Sequence, residues 1–265
     1  LTLAVDDEDS LTARFSRRQE KAAVDIAVIR LPRISNFTDF NPLEYLDGVS
    51  LRYVGSVAEL GEPDLIILPG TKNTMGDLRF LRESGLEAKI LRHAAAGKPV
   101  IGICGGYQML GETLSDPDGV EGGGALRGLG LLPSKTVFFG EKTRTQVTGT
   151  IEHAEGVFAK LRGVGFTGYE IHMGETSSNS EHILTMRDQN GAVKRDGLAS
   201  GNVMGCYVHG LFDRGECASA LLGCLMARRG LTSELAAVDW EEYASAQYDK
   251  LADGLRRALD MDRIY

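Results

Sequence analysis

Val100-Ile101-Gly102-Ile103-Cys104-Gly105-Gly106-Tyr107-Gln108-Met109-Leu110 is the stretch on which the reading of this chain turns. Its first four residues are a short apolar run of the kind found in buried strands, and Pro99 stands just before it. Tyr107, Met109, Leu110 and Leu114 then recur at helical spacing. Between the two periods lies Gly-x-Cys-x-Gly. This is the pattern of a strand-to-helix elbow carrying a nucleophile, with sulfur in place of oxygen. Glycines on both sides let the backbone turn sharply. A helix starting just after Cys104 favours negative charge on the sulfur and offers free N–H groups to an oxyanion. The bland alternative is a buried, inert thiol.

Working outward, three further apolar runs read as buried strands: Val24–Ile29, Val49–Val54 and Leu65–Leu68. Apolar residues at helical spacing from Asn73 to Ala96 predict one helix that Gly97 stops. Strand, helix and strand in this rhythm predict an α/β fold, an open and mostly parallel sheet with helices on both faces. The second half carries strand signals at Val137–Phe139, Gln146–Ile151, Phe166–Met173, Ile183–Arg187 and Val203–Val208. Helical segments are expected at Glu216–Arg229 and Asp239–Leu259, and a flexible loop at Gly122–Gly124. Residues 1–22 mix acidic and basic clusters and read as a linker or interdomain lead-in, with 23–265 as one domain. Leu1, not Met, opens the chain, which fits a piece of something longer.

Composition removes several classes of function. A net charge of −8 is wrong for a non-specific phosphate-backbone binder, so no nucleic-acid partner is expected. No apolar run approaches the roughly 18–20 residues of a membrane helix, and the acidic start is unlike a signal peptide. A cytoplasmic protein without a membrane partner is the expectation. The four cysteines (Cys104, Cys206, Cys217, Cys224) have neither the density of a disulfide framework nor zinc-ligand spacing, so no metal is expected.

A thiolate that performs acyl transfer needs a histidine. His93 falls on the expected helix and reads as a surface residue, while His153 and His182 stand beside acidic residues in exposed contexts. His209 differs. It follows the apolar run Val203–Val208 and precedes Gly210, so it can present its ring at a strand's carboxyl end, where ligands of open α/β sheets gather.

Gly102–Gln108 together with Tyr207-Val208-His209-Gly210 resembles the class I, triad-type glutamine amidotransferases, whose fold is flavodoxin-like. Three longer blocks narrow the resemblance: Pro32-Arg33-Ile34-Ser35-Asn36-Phe37-Thr38-Asp39-Phe40, Leu68-Pro69-Gly70-Thr71-Lys72-Asn73-Thr74 and Gly168-Tyr169-Glu170-Ile171-His172-Met173-Gly174. In order and spacing they are similar to the C-terminal half of cobyric acid synthases. The resemblance implies that Cys104 attacks the side-chain amide of glutamine and that His209 shuttles the proton. It implies an oxyanion site at Gly70, Thr71 and Gly105, and a contact from Gln108 to the substrate or its loop. The ammonia would feed ATP-dependent amidation of corrinoid carboxylates in cobalamin biosynthesis. The partner would be an N-terminal synthetase half that holds ATP and Mg, with no cofactor in this chain; indeed no Gly-x-x-x-x-Gly-Lys-Ser/Thr occurs.

One departure stands out. The family places a glutamate two residues after its histidine, and here Leu211 occupies that position. Either the site is a Cys–His dyad or another carboxylate completes it. Glu170, on the same face of an expected strand as His172, is the first candidate and Asp213 the second. Lining an ammonia exit, or a solvated strand face, are the other roles open to Glu170. A glutaminase subunit of another amidoligase, such as one acting on lipid II, and a catalytically silent docking domain are the alternative functions.

Overall fold

The computed structural model describes residues 22–232 together with 245, 246, 249, 250, 252–254, 256 and 257. The lead-in up to residue 21 and much of the expected helix Asp239–Leu259 lie outside them; the described residues of the latter are helical.

Strands β1 (Val24–Ile29), β2 (Val49–Val54), β3 (Leu65–Leu68) and β4 (Val100–Ile103) form where the apolar runs predict them. With β12 (Val203–Cys206) they make a parallel sheet in the order β2-β1-β3-β4-β12, and β11 (Leu198–Ser200) adds an antiparallel edge. Every residue of β3, β4 and β12 is buried. Side chains alternate between the two faces of a strand, so both faces of this sheet are covered. The strand order reverses between β1 and β3, and the loops at the carboxyl ends of the flanking strands meet at that switch point.

The single helix expected from Asn73 to Ala96 is two, α1 (Thr74–Glu83) and α2 (Leu86–Ala95). Gly85 breaks it at φ 77°, with its N–H donating to the Arg82 carbonyl. The apolar stripe explains the break. Met75, Leu78 and Leu81 step by three, whereas Leu86, Ile90 and Ala94 step by four. The five-residue gap between Leu81 and Leu86 would rotate a continuous helix off the core, and the turn restores both stripes to burial. His93 is not a surface residue. It is buried at the end of α2 with Nε2 3.1 Å from the Pro99 carbonyl, and burial lowers its pKa to about 4. Helices α3 (Gly105–Leu110) and α4 (Gly215–Arg228) complete the set that positions the site.

A second sheet accounts for the strand-rich half, and its separateness was not evident from the sequence. It contains β5 (Thr113–Asp116), β6 (Gly124–Arg127), β7 (Lys135–Ile151), β8 (Gly165–Ser177), β9 (Leu184–Asp188) and β10 (Val193–Asp196). Only β5 and β7 pair in parallel. The segments Val137–Phe139 and Gln146–Ile151 belong to one 17-residue strand whose register with β8 shifts between Val137 and Lys142. One hydrophobic cluster joins the sheets, from Val28 and Ile101 to Val147 and Phe166. The glycine run 122–124 is a tied turn, not a free loop. Asp116 accepts from the N–H groups of Val120, Glu121 and Gly123, and Glu121 accepts from the Met75 N–H at the start of α1. No helix among the described residues is long and apolar enough to cross a membrane.

Candidate active site

Strand β4 delivers Cys104 into α3 through an elbow with φ 52° and ψ −110°. Among the described residues only Cys104 and Asn36 hold a positive φ without being glycine, and both border the site. The glycines around the sulfur are sterically required. A Cβ on Gly106 would penetrate the Leu68 carbonyl, and one on Gly102 would lie 2.6 Å from Leu110 Cδ1. The Cys104 N–H donates to Cys206 in β12 at 2.8 Å, so the elbow is pinned to the strand that leads to His209.

The ladder of β12 stops at Cys206, and His209 instead bridges to Tyr169 in β8. Two backbone hydrogen bonds of 2.8 and 3.0 Å hold that bridge, and the Tyr169 ring stacks on the imidazole with centroids 5.3 Å apart. His209 Nδ1 lies 2.6 Å from Asp39 Oδ2, while Asp39 Oδ1 accepts from the Gly210 N–H at 3.1 Å. The Cys104 side chain also acts on this ring, for which Nε2 is the nitrogen not engaged by Asp39. Burial works against a charged imidazole here, but the bonds and charges of Asp39 and Cys104 outweigh it and raise the pKa to about 10. Asp39 sits, buried, in the 3-10 turn Phe37–Phe40. Asn36 enters that turn in the left-handed region, and its Nδ2 donates to Tyr169 Oη at 2.5 Å.

The Pro69–Thr74 loop lies alongside. Thr71 pairs with Ile34 through the bonds Ser35 N–H to Gly70 O and Lys72 N–H to Arg33 O. In such a pair the Thr71 N–H points away from the bridge. It points toward α3, since a Cβ on Gly105 would lie 3.2 Å from Thr71 N. Asp77, fully buried in α1, clamps the loop by accepting from Thr71 Oγ1, Arg33 N–H and Arg33 Nη1. The Gly105 N–H opens its helix and has no acceptor four residues back. The Thr71 nitrogen and Gly105, next in the chain to Cys104, therefore lie close together. Gly70 sits against the imidazole, where a Cβ would be 2.9 Å from His209 Cε1.

Residues 25–217 match the family model described as the CobB/CobQ-like glutamine amidotransferase domain. The chain belongs to that family. It is 53% identical over 271 residues to a cobyric acid synthase of Ruminiclostridium cellulolyticum, covering all of this chain and 53% of that protein. A cobyric acid synthase of Citrobacter koseri is 46% identical, again over all of this chain and 53% of the relative. The chain thus spans about half the length of these curated relatives. Among solved structures, PurLQS from Thermotoga maritima superposes with a TM-score of 0.57 at 21% identity, covering 78% of this chain and 99% of that one, which speaks to the fold.

In this glutamine amidotransferase, two residues stand elsewhere than the sequence suggested. Glu170 does not approach His209. Its Oε2 is 2.9 Å from Lys194 Nζ and its Oε1 3.9 Å from His172 Nε2. Burial would raise its pKa, but hydrogen bonds and charges from His172 and Lys194 lower it. Glu170 and His172 do share a face of β8, but Tyr169 on the opposite face is the one that meets His209. Asp213 lies beside Gly210, whose added Cβ would be 2.7 Å from its Oδ2, while Nδ1 is held by Asp39.

Gln108 is buried and its amide is engaged internally: Oε1 accepts from Thr74 Oγ1 at 2.9 Å, and Nε2 donates to the Met173 carbonyl at 2.9 Å and to Tyr207 Oη at 3.1 Å. It contacts the loops around the site, not an open substrate space.

A cavity of about 990 Å³ lies on the Tyr169 face of β8, lined also by Ile171, Asp213, Arg144 and Arg187; Cys104 and His209 are not among its lining residues. The Ile171 carbonyl is 3.7 Å from Cys104 Sγ. Arg144 stands directly across from Ile171 in the β7–β8 register, so their side chains share that face. The sequence reading missed both Asp39 and Arg144. The Ser-Asn-Phe-Thr-Asp block was visible, but nothing in it marks a partner 170 residues away.

Proposed function

We propose that this domain hydrolyses glutamine and passes the ammonia to an ATP-dependent amidation of corrinoid side-chain carboxylates. The observation that carries the reading is the Cys104–His209–Asp39 array beside the Thr71 and Gly105 amides. In this reading the Cys104 sulfur adds to the glutamine Cδ carbonyl with the proton already held on His209 Nε2, in keeping with the raised pKa of the ring. The carbonyl oxygen becomes an oxyanion held by the two amides. Collapse breaks the Cδ–N bond, and His209 returns the proton to the departing ammonia, leaving a glutamyl thioester. Water then adds with His209 as base, and the sulfur leaves with glutamate freed. Asp39 keeps the imidazole in the tautomer and orientation this needs.

Arg144 lines that cavity on the strand face it shares with Ile171, whose carbonyl lies by the sulfur, and its guanidinium is suited to the α-carboxylate of the free amino acid. The corrinoid assignment is supported by the relatives named cobyric acid synthase. ATP and Mg would be held by the half of those relatives that this chain does not span, and no cofactor is required for the glutaminase steps themselves. Buried, unpaired Cys206 and Cys217 suit a reducing cytoplasm.

The test is alkylation by 6-diazo-5-oxo-norleucine followed by peptide mapping. Labelling of Cys104 alone, slowed by excess glutamine and absent in Cys104→Ser, is expected. Equal labelling of the other cysteines, or none when a synthetase half is supplied, would overturn the glutaminase reading. Amide formation on a corrinoid acid by the chain paired with that half tests the substrate.

A further inference from the structure

A line of buried hydrogen bonds crosses the molecule behind the nucleophile. Thr74 Oγ1 donates to Gln108 Oε1 at 2.9 Å, and Gln108 Nε2 donates to Tyr207 Oη at 3.1 Å. Tyr207 Oη is 2.5 Å from Thr176 Oγ1, which is 2.8 Å from Thr136 Oγ1. The orientation of the Gln108 amide is settled by a further bond. The Met173 carbonyl can only accept, so Nε2 must face it, and Oε1 then faces Thr74. With its lone pair taken by Gln108, the Tyr207 hydroxyl is free to give its proton to Thr176, and Thr176 to Thr136. All the bonds run in one direction, the arrangement in which neighbouring bonds polarise one another.

What the line joins gives it a purpose. Thr74 ends the loop that carries the Thr71 amide, and Gln108 lies one turn beyond Cys104. Tyr207 precedes His209 by two residues. Thr176 and Thr136 belong to β8 and β7, and β8 supplies both the Ile171 carbonyl at the sulfur and the bridge to His209. The Tyr207 ring stacks on His172 with centroids 3.7 Å apart and packs edge-to-face with Tyr107 at 5.3 Å, and the Tyr207 backbone N–H donates to Asp196 Oδ2.

We propose that the Tyr207 hydroxyl, through Gln108, is a positioning device that fixes the oxyanion loop relative to the nucleophile and its histidine. This rests on the glutaminase reading of the site. Its action is on geometry: the Thr71 amide must stand where the oxyanion forms, and an error of about 1 Å in such placement costs on the order of 100-fold in rate. The side chains of the line make no hydrogen bond to those of Cys104, His209 or Asp39, so removing the Tyr207 hydroxyl should leave the reactivity of the thiol itself alone.

Tyr207→Phe keeps the ring and both aromatic contacts and removes only the hydroxyl. The expected result is a fall in kcat for glutamine hydrolysis of about 10-fold or more with KM within a few-fold. Alkylation of Cys104 by iodoacetamide, which forms no oxyanion, should keep its rate and pH profile. Thr176→Val, one link further out, should lower kcat less, and Thr176→Ser should restore it. An unchanged kcat in Tyr207→Phe would overturn the proposal, as would a parallel loss of iodoacetamide reactivity or a rise confined to KM. Failure of the glutaminase reading looks different, because the unmodified protein then neither releases glutamate nor reacts selectively at Cys104.

Discussion

His209 Nδ1 and Asp39 Oδ2 lie 2.6 Å apart although 170 positions of sequence separate the two residues. The same carboxylate takes the Gly210 N–H with its other oxygen, so Asp39 holds both the ring and the turn behind it. Leu211 stands two residues after His209, where the resemblance to triad-type amidotransferases leads one to expect a glutamate, and the orienting carboxylate comes from the opposite side of the sheet's switch point.

Asp39→Asn should therefore damage turnover far more than binding. An amide can offer Nδ1 a donor or an acceptor and no longer enforces the productive tautomer. A fall in kcat of about 100- to 10,000-fold is expected, with KM little changed. Steady-state glutamate release measures it. A loss under tenfold would mean that Cys104 and His209 suffice as a dyad.

The raised pKa of His209 has a consequence for stability. Its folded value of about 10 lies above the ordinary imidazole value of 6.5, so the protonated ring favours the folded state. That contribution is complete below about pH 6.5 and is lost as pH rises through the folded value of about 10. The urea midpoint should fall between pH 7 and pH 10, and fall less in Asp39→Asn. An identical slope in both proteins would remove Asp39 as the cause.

Glu170→Gln tests the assignment in the opposite direction. Glu170 binds Lys194 and His172 on the far face of β8, so its neutral isostere should leave kcat for glutamine hydrolysis within about threefold, in contrast to the tenfold or larger losses that follow removal of a group orienting the reacting atoms. A loss comparable to that of Asp39→Asn would return Glu170 to the catalytic array.

Two alanine substitutions should separate packing from chemistry. A Cβ on Gly106 meets the rigid Leu68 backbone, so Gly106→Ala should destabilise the fold by at least about 1–3 kcal/mol, seen as a lower Tm or as insoluble protein. A Cβ on Gly70 meets the edge of the His209 ring, which can yield. Gly70→Ala should keep its Tm and lose turnover. Equal Tm changes in the two variants would contradict this account.

Arg144→Ala should raise KM for glutamine without a matching loss of kcat. Glutamine α-amide, which lacks the α-carboxylate, should be insensitive to the substitution. If both substrates weaken alike, Arg144 shapes the cavity and does not read the carboxylate.

The elbow at Cys104 was legible because its signals are local: an apolar run, flanking glycines and a helical period, all within a dozen residues. The parallel strands were legible for the same reason: β3 and β4, buried on both faces, appear as apolar runs, and β1 and β2 are interrupted only at Asp25, Ser50 and Arg52. The second sheet was less visible, since half-exposed strands alternate weakly and β7 changes register midway. The break at Gly85 and the burial of His93 depend on what the helices pack against, which a periodicity does not contain.

For the site, sequence alone pointed to Cys104 as the candidate nucleophile, to His209 just beyond a strand end and to the family whose blocks surround them. Those are properties of contiguous segments. Tertiary structure decided that Asp39 and not Glu170 holds the imidazole, that Gln108 is spent on the loops around it and that Arg144 lines a cavity on the Tyr169 face of β8. Each of these is a contact between segments far apart in the chain. The same side chain could stand on either face of its strand until the register and the switch point of the sheet brought one face to the sulfur and turned the other away.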